Sequence, residues 1–290
     1  MRDILEELLQ QLSLERIEEN LFRGQSQDLG WGRVYGGQVL GQALSAAAQT
    51  VEGGRLVHSM HAYFLRPGDV NRPVVYEVDR IRDGRSFTTR RVVAVQKGKA
   101  ILNMAASFQV EEEGLDHQDE MPDVAGPDGL MTDADRIKEI LEHVPESMRS
   151  RLSSERPIEI RAVEPMSYLK PEKRPPTTAL WFRATHEVPD DPAVHRSLLA
   201  YASDSGFITT ALRPHGMTWA SPNIQLASLD HAMWFHRPFR MDEWLLYVVH
   251  SPSASGARGL VRGQFYRQDG TRVASAAQEG LMRVWKKPKG

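Results

Sequence analysis

Two stretches of the chain repeat small and apolar residues at helical spacing, "GGQVLGQALSAAAQTV" at 36–51 and "DPAVHRSLLAYASDSGFITTAL" at 191–212. Each predicts a helix buried on most of its surface. After the first come four runs that alternate between apolar and polar positions: "VHSMHAYFLRP" from 57, "PVVYEVDRIRDG" from 73, "SFTTRRVVAVQKG" from 86 and "KAILNMAASFQV" from 99. They predict antiparallel strands, with Asp-Gly and Lys-Gly-Lys as turn signals. One helix followed by a run of strands is an α+β pattern, and the economical packing is a sheet curled around that helix. The first 24 residues, "MRDILEELLQQLSLERIEENLFRG", read as one amphipathic, acid-rich helix and not as a leader peptide.

The same plan occurs twice. "FLRP" (64–67) returns as "FHRP" (235–238) and Tyr76 as Tyr247, both 171 residues on. "KGKAILNMAAS" (97–107) returns as "DGTRVASAAQE" (269–279) at 172, "VLGQAL" (39–44) as "FITTAL" (207–212) at 168, and "LFRG" (21–24) as "WFRA" (181–184) at 160. A slowly drifting offset is what loop insertions between two copies of one domain produce. Between the copies, residues 111–130 are acidic and rich in Pro and Gly, which reads as linker. A helix follows over 131–152, opened by a capping box at Thr132 and Asp135, and "LKPEKRPPTTA" (169–179) reads as a surface loop. The expected organisation is an N-terminal unit over 1–112, a linker with a helix over 113–160 and a C-terminal unit over 161–290. Two such units side by side make a double hot-dog: α+β, each curved antiparallel sheet wrapped around one long helix.

Three polar residues break the apolar faces of the second copy. Continued as a helix, residues 197, 201, 204, 208 and 211 share one face, which places Asp204 among Ser197, Tyr201, Ile208 and Ala211. Burying an ionised carboxylate costs several kcal/mol unless it is paired and hydrogen-bonded. In "RVASAAQEGLMRV", Gln278 alternates with Ala274, Ala276, Gly280 and Met282; in "NIQLASLDHAMWF", Ser228 shares a face with Ile224 and Leu226. Subtracting the local offsets pairs Asp204 with Gly36, Ser228 with Val57 and Gln278 with Ala106. A trio present in one copy and missing from the other reads as a site added to a duplicated scaffold.

Composition narrows the classes. A formal charge of −2 over 290 residues gives no reason to expect a nucleic-acid binder. The chain has no cysteine, which removes disulfides, thiolate metal sites and a cysteine nucleophile. No apolar run approaches the ~20 residues that span a bilayer, so stable membrane insertion is not expected. The C-terminal "KKPKG" matches no sorting signal. A cytoplasmic protein is the expectation.

At this point the chain resembles the acyl-CoA thioesterase II family of double hot-dog enzymes. The resemblance rests on "GQSQDLGWGRVYGGQVLGQAL", "HSMHAYFLRPGD", "VPDDPAVHRSLLAYASD", "LDHAMWFHRPFRMDEWLLY" and "GARGLVRGQFYRQDGTRVASAAQEGLMR", which together run through nearly the whole sequence. It implies hydrolysis of acyl-CoA to fatty acid and CoA, no metal and no cofactor. The family's active-site Asp falls on Asp204 in "YASD" and its Gln on Gln278 in "AAQEG". Its hydroxyl residue, usually Thr, falls on Ser228, which keeps the hydroxyl and drops a methyl that stiffens χ1. A homo-oligomer, dimer or tetramer, is expected.

Thioester hydrolysis needs a positioned water, a proton acceptor and a polarised carbonyl. Asp204 is the candidate base or orienter, with Ser228 and Gln278 holding the water. Direct water attack is expected in preference to an acyl-Ser228 intermediate, because the trio lacks a histidine unless a distant one folds in. Gly36, Gly37 and Gln38, opening the first helix, are candidate oxyanion donors. Arg258 and Arg262, and after them Arg90 and Arg91, are candidates for the CoA phosphates. His58 and His61 alternate with apolar residues and read as structural. Two other functions compete. "DDPAVH" (190–195) superficially resembles the Asp-x-Asn-Pro-x-His loop of double hot-dog enoyl-CoA hydratases, without its Asn. A non-catalytic acyl-CoA-binding module would need no water-holding trio.

Overall fold

The computed structural model describes residues 4–285, except 31, 144, 145, 147, 148, 150, 151 and 169. Much of the predicted helix beyond 143, and the "KKPKG" end, therefore lie outside the described residues. The first half contains α1 (Ile4–Leu12), the hairpin β1 (Glu15–Glu18) and β2 (Leu21–Gly24), and α2 (Gly36–Ala48). Four strands follow: β3 (Leu56–Phe64), β4 (Val74–Asp83), β5 (Phe87–Gln96) and β6 (Lys99–Gln109). The linker carries α3 (Asp133–Ile140), whose N-cap Thr132 accepts from the Asp135 N–H as the capping box predicts. The second half contains β7 (Ile158–Ala162), β8 (Thr177–Ala184), α4 (Pro192–Ser203) and a 3₁₀ helix over Phe207–His215. It closes with β9 (Ile224–Ser228), β10 (Asp230–Phe235), β11 (Leu245–Ser255), β12 (Arg258–Arg267) and β13 (Arg272–Val284).

The strands form one antiparallel sheet in the order β1-β2-β4-β5-β6-β3-β10-β13-β12-β11-β8-β7, with β9 added beside β13. That order is its own mirror: β3 and β10 pair at the centre, and each strand of one half has its counterpart at the same distance in the other. The ladder registers repeat as well. Tyr76 opposes Ala94 as Tyr247 opposes Phe265, and Val57 opposes Phe108 as Ser228 opposes Gly280. The shift between Val57 and Ser59 in β3 widens in the second half into a full break at Leu229, which splits the strand into β9 and β10. This is the double hot-dog read from the sequence. The helices α2 and α4 run antiparallel against each other inside the curve: Gly37 lies against Tyr201 and Gly41 against Ser197.

Four expectations need correction. Residues 15–24 form a hairpin, not the end of a helix; β1 is exposed along its whole length, so it carries no alternation for a sequence reading to find. The loop at 169–179 ends at 176, because Thr177 already pairs in β8. "LFRG" and "WFRA" are out of step by two residues, since the ladder sets Phe22 against Tyr76 and Leu180 against Tyr247. The helix predicted over 191–212 breaks after Ser203. Gly206 takes φ 68°, a left-handed turn open to glycine, and "FITTAL" continues as 3₁₀ helix. Asp204 is thus the C-cap of α4 and not a mid-helix residue, and Gly36 is its neighbour across the helix pair instead of its counterpart in the repeat.

Candidate active site

The break after Ser203 turns Asp204 toward three other elements. Its Oδ1 accepts from Ser228 Oγ at the end of β9, 3.0 Å, and from Gln278 Nε2 in β13, 3.0 Å. A further hydrogen bond comes from the Gly37 N–H in the first turn of α2. Helix α2 has no side-chain cap of its own at Tyr35, so the carboxylate of α4 serves one of its open N–H groups. Gly36 leaves the room: a Cβ there would stand 2.6 Å from Asp204 Oδ2.

Burial and hydrogen bonding oppose each other at this carboxyl. Burial pushes its pKa up to about 6, while Gln278, Ser228 and the Gly37 N–H pull it back down. The hydroxyls of Tyr35 and Tyr247 feel the same carboxylate and are raised well above their usual value, burial acting first. Both rings also anchor the end of α4. Tyr35 donates to the Tyr201 carbonyl, 3.0 Å, and Tyr247 to the Ser203 carbonyl, 3.2 Å. Tyr247 is stacked on Phe265 at 4.1 Å.

A cavity of about 400 Å³ opens beside these residues, reaching Tyr35, Tyr201, Ala202, Ser205 and Gly206. Its sheet wall is apolar (Ile158, Ile160, Ala162, Leu180, Phe182), and residues of the linker, including Asp133, Arg136 and Ile137, close its far side. In the first half the inner face of the sheet is filled instead by α1, whose Leu5, Leu8 and Leu12 join the core with Phe22 and Tyr76. At the positions matching Ser228 and Gln278, the first half has buried Val57 and Ala106, and the Val57 carbonyl accepts from Arg196 at 2.7 Å. One half holds a polar trio and an open groove; the other holds apolar side chains and a helix.

The family model for acyl-CoA thioesterase matches residues 148–281, and that for the acyl-CoA thioesterase N-terminal domain matches residues 26–109. An acyl-CoA thioesterase 2 of Haemophilus influenzae is 42% identical over 283 residues, covering 98% of this chain and 99% of the relative. The chain belongs to the acyl-CoA thioesterase family. Human acyl-coenzyme A thioesterase 8 is also 42% identical, over 94% of this chain and 88% of its own length. Among solved structures, an acyl-CoA thioesterase II of Mycobacterium marinum superposes with a TM-score of 0.78 at 41% identity, covering 97% of this chain and 99% of that one. A hot-dog protein of Alicyclobacillus acidocaldarius, 19% identical with a TM-score of 0.77, shares the fold.

The remaining candidate residues fall elsewhere or do other work. The N–H of Gly37 is engaged by Asp204 and that of Gln38 by the Tyr35 carbonyl, so neither is a free oxyanion donor. The Gln38 side chain ties down the 25–27 loop through the Gln25 carbonyl and the Gln27 N–H. Arg258 and Arg262 lie on the outer face of the sheet, opposite to buried Val261, the partner of Gln278; Arg258 pairs there with Glu279. Arg91 pairs with Asp79 at the surface. Arg90 is not a surface cation at all. It is buried against Asp83, the Thr50 hydroxyl and the carbonyls of Thr50, Arg82 and Thr89. Arg90→Met is expected to lower stability by roughly 2–3 kcal/mol while leaving KM for an acyl-CoA unchanged, as thermal melts and steady-state kinetics would measure.

His58 bonds Ser107, and exposed His61 packs edge-on against Trp234. In the hydratase-like "DDPAVH", Asp191 caps α4 and His195 accepts the Met241 N–H. Asp204 lies nine positions beyond His195, roughly 13 Å along the helix, so the two do not share a site. The sequence reading gave the Gly37 N–H to an oxyanion instead of to Asp204, and missed the two anchoring tyrosines. A Gly-Gly pair opening a helix without a capping side chain was the available signal.

Proposed function

We propose that this chain hydrolyses acyl-CoA thioesters, with Asp204, Ser228 and Gln278 activating a water beside the apolar cavity. The observation that carries this is the convergence of both polar partners on one carboxylate whose pKa sits near 6. Water attacks the thioester carbonyl as Asp204 takes one of its protons. The tetrahedral oxyanion then collapses, the C–S bond breaks, and the proton held by Asp204 passes to the departing CoA sulfur. The products are a carboxylic acid and the free thiol. Ser228 commits its proton to Asp204, so it meets the water as an acceptor, and the second N–H of Gln278 remains to hold the water oxygen. The positive end of α2 lies beside the carboxylate and favours charge developing there. The acyl chain would occupy the apolar cavity.

The Ser228–Asp204 hydrogen bond also favours a second reading, in which Ser228 itself attacks and Asp204 is its base. Ser228 variants separate the two. Under water attack Ser228→Ala loses about 10- to 100-fold in kcat and Ser228→Thr keeps most of it, whereas an acyl-serine route is abolished by alanine. Thiol release from a panel of acyl-CoAs of graded chain length is the assay. Unchanged release by folded Gln278→Ala and Ser228→Ala would discard the trio, and hydration of crotonyl-CoA without thiol release would point to the hydratase. Binding of acyl-CoA with no turnover would leave a carrier module.

A further inference from the structure

Behind Gln278 lies a histidine that the proposed chemistry does not use. His231 in β10 is fully buried, and the ladder that sets Ala232 against Ala277 brings His231 level with Gln278. Its Nε2 lies 2.9 Å from Ser203 Oγ, which is also 2.9 Å from the Ala200 carbonyl; its Nδ1 and Gln278 Oε1 are both buried and without a hydrogen-bond partner. Gln278 is the group that favours protonation of this ring, while burial holds the imidazole neutral, with a pKa lowered to about 3. A neutral imidazole has one donor and one acceptor, and an ionised carboxylate only accepts. Asp204 therefore dictates the rest. Gln278 turns its Nε2 to Asp204, which leaves its Oε1 as an acceptor on the His231 side; with the ring proton on Nδ1, Nε2 is bare, and the single Ser203 hydroxyl proton is shared between Nε2 and the Ala200 carbonyl.

We propose that His231 is a positioning residue that, protonated at Nδ1, locks the amide of Gln278 with its N–H groups toward Asp204 and the attacking water. This rests on the hydrolytic reading above. With Nδ1 turned to Oε1, donation runs from Ser203 through His231 and Gln278 to Asp204, and the Ser203–Asp204 peptide bond joins the two ends.

Two measurements test it. In the wild-type protein, ¹⁵N–¹³C correlation spectra of the histidine rings are expected to show one ring held as the neutral Nδ1–H tautomer from pH 5 to 8, and to lose that signal in His231→Asn. A neutral Nε2–H tautomer at His231 overturns the proposal. In kinetics, His231→Phe is expected to lower kcat about tenfold with little change in KM, and to move the acidic limb of the pH profile upward as the Gln278 donation to Asp204 weakens. His231→Asn, whose Nδ2–H replaces the Nδ1 donor, is expected to restore most of kcat; His231→Gln is not. Asparagine failing as badly as phenylalanine, or a folded phenylalanine variant with wild-type kcat and pH profile, also overturns it. Asp204→Asn assayed alongside distinguishes the failures: if it too keeps full thiol release, the hydrolytic site is wrong, and if it alone is inactive, only the role of His231 is.

Discussion

Asp204→Asn folds and loses thiol release by about a thousandfold or more. The carboxylate is the one group at the site able to take a proton near neutral pH, and removing a general base costs about 10²–10⁴ in rate. Asparagine keeps the shape and can still accept from Ser228 and Gln278 at its carbonyl, so the loss is chemical and not architectural. With burial pushing the pKa of the free enzyme up to about 6, wild-type kcat/KM rises through that pH and levels off above it. Stability runs the other way. The unfolded carboxyl titrates near 3.8 and the folded one near 6, so the folded state holds its proton more tightly. The associated stability is fully present below pH 3.8 and is lost as pH rises through 6, by at most about 3 kcal/mol from this group. Urea melts of wild type and Asp204→Asn at pH 4 and pH 8 measure it: the wild type falls relative to the variant. A variant as active as wild type, or a stability difference independent of pH, contradicts this role.

Gly37→Ala damages the fold and the site together. A Cβ at Gly37 would drive into the Tyr201 carbonyl and the Tyr35 ring, where α2 and α4 touch backbone to backbone. A carbonyl inside a helix cannot swing aside, so the helix pair must separate, at roughly 2–3 kcal/mol and about 5–10 °C in Tm. The Gly37 N–H moves with it, away from Asp204, and kcat falls as well. Gly36→Ala is the informative neighbour. Its Cβ would meet the Asp204 Oδ2, the end of a side chain that can rotate, and then the edge of Phe64. That variant is expected to lose activity with a much smaller loss of stability. Melting curves beside thiol-release rates separate the two glycines, and equal Tm losses would refute the distinction.

How much of this could be read in advance followed from which residues advertise their surroundings. Strands such as 87–96 alternate because one face packs and the other meets water, and that alternation is written in the order of residues. Ser228 and Gln278 stood out for the same reason, as polar side chains on faces otherwise apolar. Arg90 could not: its burial depends on Thr50 and Asp83, partners fixed only by the folded sheet. Arg258 and Arg262 looked like a phosphate clamp, yet the strand period turns both outward, away from Gln278. The break after Ser203 hung on one backbone angle at Gly206, hidden inside a run with strong helical spacing. His231 alternates inward with Met233 and Phe235, and only the register of β10 against β13 makes it more than another core residue.

The pairing of α2 with α4 has a consequence for how such a protein could arise. Two identical hot-dogs meeting along this axis would form two equivalent sites, each assembled from a helix start of one copy and a helix end of the other. Joined in one chain, the copies became free to drift apart. Here the Gly36–Gly37 corner comes from the first copy and Asp204, Ser228 and Gln278 from the second, while the mirror location has filled with Val57, Ala106 and Arg196. The first copy supplies one corner of the proposed site and the second copy its polar trio, so under that reading neither half holds the site by itself.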